Sequence, residues 1–101
     1  MGLFVFGQKS VSNKEIDNMV ISYFKKLGSP KDIGQKAYEE KFIEMLNELD
    51  QWAESLGFSN WKRSAISGSI EGLLRKTSRN CGVDDFVSNY LKMSNRIIMK
   101  M

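Results

Sequence analysis

The chain has 101 residues, with 15 Lys and Arg against 12 Asp and Glu, no histidine and one cysteine. That length gives room for one domain around one apolar core, and an apolar share of 42% with 27% charged residues is that of a folded globular protein. One cysteine without histidine excludes an internal disulfide, a four-ligand Cys/His zinc centre and any Ser-His-Asp or Cys-His catalytic arrangement, so no metal and no cofactor is expected and a reducing cytoplasm fits best.

The net charge of +3 is unevenly distributed. Residues 1–57 carry seven lysines and nine carboxylates, net −2, whereas residues 58–101 carry eight basic residues and three carboxylates, net +5. Met1 to Gln8 lacks the basic leader and long apolar run of a signal peptide, and no stretch of 18 apolar residues predicts a membrane span. Phe6 stands where a myristoylation signal needs Ser or Thr.

In chain order, Leu3-Phe4-Val5-Phe6 reads as a short apolar arm (1–11). It would lie over one end of the domain or, as the sharper alternative, add to a partner's sheet edge. Ser12-Asn13-Lys14-Glu15 is a capping box, and Ile16, Met19, Val20, Tyr23, Phe24 and Leu27 keep the spacing of one helical stripe over about 13–27, stopped by Gly28. Either Pro30 or the Asp32 to Gln35 pair opens the next helix, about 33–56. Its buried face is Tyr38, Phe42, Met45, Leu46, Leu49, Trp52, Ala53 and Leu56, and Glu40, Glu44 and Glu48 form an acidic strip on the opposite side.

A third helix, about 60–79, starts at Ser59 or Asn60 and buries Ile66, Ile70, Leu73, Leu74 and Thr77. Trp61, Ala65, Gly68 and Gly72 mark its other face. Glycines four apart inside a helix cost about 1 kcal/mol each relative to Ala, which predicts a continuous helix crossed closely by another backbone; a break at Gly68 is the alternative. Asp84 or Asp85 caps the last helix, about 85–100, whose Phe86, Val87, Tyr90, Leu91, Met93, Ile97, Ile98 and Met101 span a broad apolar arc. Such a helix is central in a bundle or shared with another chain. The fold class is all-α: a compact bundle of about four helices with a short apolar N-terminal arm, in a single domain over 1–101.

Catalytic inventory is thin. The neighbouring pairs Glu39-Glu40 and Asp84-Asp85 diverge by about 100° on a helix, Cys81 lacks the helix N-terminus that would acidify it, and no phosphate-loop, dinucleotide or EF-hand pattern occurs. The expected activity is therefore non-catalytic: a small cytoplasmic protein-binding module of inhibitor, toxin-immunity, adaptor or chaperone type, which occupies a surface of another protein. Its candidate binding residues are Trp61, Lys62, Arg63, Arg75 and Arg79, with Glu40, Glu44 and Glu48 as second choice, because Trp and Arg anchor interfaces and charged strips steer partners. The bland reading of the same charges is a solvated face with cations at a helix C-terminus. Nucleic acid bound by the basic half, with Lys76, Lys92, Arg96 and Lys100 added, is the alternative partner. A homodimer through the last helix is the third.

Overall fold

The computed structural model describes residues 11–81 and 85–101, with Asn80 and Cys81 as backbone alone. The apolar arm before Val11, the Asp84 cap and the Cys81 thiol lie outside what is described. Among the described residues there are four long helices, one single-turn helix and no strand: α1 Asn13–Leu27, α2 Pro30–Ile33, α3 Gln35–Ser55, α4 Asn60–Cys81 and α5 Phe86–Ile98. The protein is a bundle of about four helices.

Local chemistry accounts for the helix ends. At α1 the Ser12 hydroxyl accepts from the Glu15 amide at 3.2 Å while Glu15 accepts from the Ser12 amide at 3.1 Å, a reciprocal cap that satisfies two donors the first turn leaves free. Gly28 ends α1 at φ +81. Ser29 then accepts from Lys31 N and Pro30 occupies the first turn of α2, so the Pro-led start is used. Gly34, at φ +92, separates α2 from α3, where a side chain would be strained. Ser59 accepts from Lys62 N at 3.4 Å at the start of α4. Asp85 sits at the N-cap of α5, yet it lies in the left-handed region at φ 59 and its side chain makes no capping bond. The expected aspartate cap is thus one of position only.

α4 runs between α1 and α5, and α3 closes the opposite side against the same two helices. Contacts fix the directions: Phe24 meets Phe42 and Tyr23 meets Glu48 between α1 and α3, while Arg63 reaches Ile98 and Ser67 reaches Asn95 between α4 and α5. Both pairs are antiparallel. The core joins Ile16 and Val20 of α1, Phe42, Leu46 and Leu49 of α3, Ile66, Ile70 and Leu74 of α4, and Phe86, Tyr90 and Ile98 of α5. Phe42 is its aromatic centre, with ring centroids 4.9 Å from Tyr90 and 6.3 Å from both Phe24 and Tyr38. Leu56, expected inside, is 39% exposed because α3 ends at Ser55, just before it.

The broad apolar arc of the last helix is spent inside the chain except at Met101, which lies beyond the end of α5 and is 84% exposed. Phe86, Tyr90 and Ile98 are buried, and Val87, Leu91, Met93 and Ile97 pack against the core as half-buried neighbours. Ser94 is fully buried on that same face and its hydroxyl makes no hydrogen bond. An unpaired buried hydroxyl costs about 1–3 kcal/mol. Ser94→Ala is therefore expected to raise stability by roughly 1 kcal/mol in urea unfolding, after allowing for the small void that the lost oxygen leaves.

α4 is continuous through Gly68. The expected close crossing is not there among the described residues: a Cβ placed on Gly68 or Gly72 would meet none of their atoms within 4 Å. Both glycines face outward. Their backbone angles are helical, so Gly68→Ala and Gly72→Ala should each stabilise the protein by about 1 kcal/mol, which thermal unfolding would register as a rise of roughly 4–8 °C for a domain of this size.

Candidate docking face on helix α4

The structure divides the candidate basic residues into two groups. Arg63 is only 6% exposed. Its guanidinium donates to Asp50 at 2.7 Å, to Glu54 at 3.1 Å and to the Ile98 carbonyl at 3.0 Å, so one planar fork ties α4 to α3 and to the C-terminal end of α5. Lys100 joins the same carboxylates at 3.5 and 3.6 Å. The Lys62 ammonium donates to the Val11 carbonyl and fixes the entry of the chain into α1. These three cations are engaged within the fold and do not belong to a free basic surface.

Trp61, Arg75 and Arg79 face outward. At about 100° per residue, Trp61, Gly68, Gly72, Arg75 and Arg79 fall within about 40° of one line along α4. Trp61 is 74% exposed. Arg75 is 60% exposed at its side chain and pairs with Glu71 one turn away at 2.6 Å, an i,i+4 contact of small energetic weight that leaves its charge at the surface. Lys76 and Arg79 are exposed beside it. Between the tryptophan and the cations, Gly68 and Gly72 leave a shallow trough, lined on α4 also by Ser69, Leu73 and Lys76. Its α1 wall is Asp17 and Ile21, and the groove there encloses about 240 Å³. The face thus carries an aromatic anchor, a smooth middle and a cationic end, spread over about 27 Å.

The acidic strip lies elsewhere. Glu40, Glu44 and Glu48 are exposed on α3, and Glu44 and Glu48 line a groove of about 250 Å³ against Tyr23, Lys26 and Lys41. Glu48 accepts from the Tyr23 hydroxyl at 2.9 Å, so it is already used between helices. Two lysines and two glutamates give this groove no net sign with which to select a charged ligand, and its apolar residues, Leu27 and Met45, are part of the core. Burial first, then the bond to Glu48, pushes the Tyr23 hydroxyl above its ordinary value. The folded state therefore holds this proton more tightly than the unfolded chain. Its contribution is present below pH about 10 and is lost as pH rises through the folded value. A titration that follows the Tyr23 ring signal by NMR should show it ionising above its ordinary range, and Glu48→Gln should move it back toward that range.

Among the described residues, no three His, Cys, Asp or Glu side chains converge to hold a metal ion, and no helix is long and apolar enough to cross a membrane. No protein-family model, no curated protein and no solved structure matches the chain.

The sequence groups Trp61 with its neighbours Lys62 and Arg63, and the fold separates them. On a helix, adjacent residues diverge by about 100°, so Trp61 points out while Arg63, two residues on, points back across the bundle. A signal for Arg63 was available in Asp50 and Glu54. They stand one turn apart on the preceding helix and close enough to the turn at Gly57 to meet the first turn of α4. Gly68 and Gly72 read in the sequence as a close crossing, and they open outward instead.

Proposed function

We propose that this is a non-catalytic binding module that works by occupying a surface of another protein, with the outer face of α4 as its docking surface. The observation that carries this reading is the exposure of Trp61 in line with Gly68, Gly72, Arg75 and Arg79. A large aromatic left 74% in solvent is unfavourable for a free molecule and useful to one that buries it against a partner. The cations at the far end fit an acidic patch on that partner and would speed encounter with it. A module of this kind acts as an inhibitor, immunity protein, adaptor or chaperone, and a cytoplasmic setting suits its single thiol.

The engagement of Lys62, Arg63 and Lys100 within the fold supports a protein partner over a nucleic acid, since it removes three of the eight cations of the second half from a phosphate-binding surface. The test is affinity recovery from native lysate, with and without nuclease, of wild type, a Trp61→Ala/Arg79→Ser variant and a Glu40→Ala/Glu44→Ala variant. A stoichiometric, nuclease-resistant protein lost only with the first variant is the expected result. Recovery that vanishes with nuclease, or that depends on Glu40 and Glu44, contradicts the proposal.

A further inference from the structure

The outer face of α4 is self-complementary about position 70. Gly68 and Gly72 lie two residues to either side of it, Ser64 and Lys76 six, and Trp61 and Arg79 nine. We infer that this face is an interface between two copies of the protein, in which two α4 helices cross antiparallel at Gly68 and Gly72 and each Trp61 indole lies against the other copy's Arg79 guanidinium. The inference rests on the reading of this face as a docking surface and names a second copy as its occupant.

Four features favour that occupant. First, the two glycines open a notch that nothing among the described residues enters, since none of their atoms lies within 4 Å of a Cβ at either position. A second copy brings an equally smooth notch, so the two backbones approach symmetrically. Second, the antiparallel direction sends Arg75, Lys76 and Arg79 of the two copies to opposite ends, whereas a parallel pair would set like charges together. Third, it brings each cationic end to the other copy's exposed tryptophan, and an arginine over an indole face is an attractive pairing. At a crossing angle near 20° the helices have diverged by only about 5 Å at the ends of the face, within reach of an arginine and an indole. Fourth, Ile21, 37% exposed on the α1 wall of the trough, comes under cover in the same step.

Size sets the strength. A strip about 27 Å long and one helix wide buries roughly 400 Å² per copy, about half of what a standard stable interface uses. The pair is therefore a weak one, forming at high micromolar concentration and exchanging rapidly. Its rapid exchange leaves the same face available to another protein, which would compete with self-association.

Sedimentation equilibrium from about 10 μM to 1 mM tests this. Wild type is expected to shift from monomer to dimer across that range, and Gly72→Gln, which keeps a good helix former at an open helical position, should stay monomeric with its fold and thermal stability intact. Trp61→Ala and Arg79→Ala should each weaken the pair about tenfold, the loss of two aromatic–cation contacts. An equimolar mixture of these two variants should associate about threefold more tightly than either alone, because one Trp61–Arg79 contact survives in the mixed pair. No other register predicts that rescue. A wild type that stays monomeric at 1 mM, a Gly72→Gln variant that still dimerises, or a dimer that appears only after residues 1–10 are removed overturns the inference. A monomeric wild type whose captured partner still requires Trp61 defeats the self-pairing and leaves the docking reading standing. A dimer beside partner capture indifferent to Trp61 supports the self-pairing and defeats that reading.

Discussion

Arg63→Ala is expected to destabilise the protein by about 3 kcal/mol, the largest loss from any charged position. The side chain is buried and serves three acceptors on two other helices: Asp50, Glu54 and the Ile98 carbonyl. Its removal strands Asp50, whose side chain is 22% exposed, and leaves the carbonyl without its donor. Glu54, at 65% exposure, can turn to water, which keeps the loss at the low end of the range for broken buried pairs. Arg63→Lys should recover only a minor part, because a single ammonium cannot reproduce the planar fork. Lys100→Ala, by contrast, removes a half-exposed ammonium standing 3.5 Å or more from the same carboxylates and should cost less than about 1 kcal/mol. Urea unfolding of the three variants would check the order. Equal losses for Arg63→Ala and Lys100→Ala would show that the network is a surface feature.

The second large effect is expected at Phe42. Phe42→Ala should cost about 3–5 kcal/mol, since the ring is fully buried and is packed by aromatic neighbours from three helices: Phe24 of α1, Tyr38 of α3 and Tyr90 of α5. Edge-to-face contact with Tyr90 at 4.9 Å adds to the area that the ring removes from water. A helical protein of this length has a stability of only about 5–15 kcal/mol, so the variant should melt at markedly lower temperature or populate an unfolded fraction at room temperature. Phe42→Leu, which keeps most of the volume, should lose much less. If Phe42→Ala matched wild type in denaturant midpoint, the placement of α3 against α1 and α5 would be wrong.

The helices were legible in the sequence because their signals are local. A capping box at Ser12 to Glu15, the glycine stop at position 28 and apolar residues recurring at three and four each act within a few residues of themselves. What sequence reasoning missed depends on three-dimensional neighbours. Arg63 reads as exposed because arginine usually is, and the turn between α3 and α4 brings Asp50 and Glu54 to it. The apolar arc of α5 reads either as central in a bundle or as a surface to share, and its neighbours decide for the first: it is used between α3 and α4. Gly68 and Gly72 read as a crossing inside the chain, and they open outward. Of the candidate docking residues, Trp61 and Arg79 line up because eighteen residues make five whole helical turns, with Arg75 about 40° from that line; the register is visible in the sequence, but which face of α4 turns outward depends on its neighbours.

The most direct test of the α4 face as a docking surface is site-specific photo-crosslinking. A light-activated phenylalanine analogue is placed at position 61 in one protein and at position 40 in another, and both are irradiated in native lysate. The expected result is a discrete adduct of defined mass from position 61, to another protein or to a second copy, and none from position 40. An adduct from position 40 with none from position 61 would show that the protein meets its partner through α3.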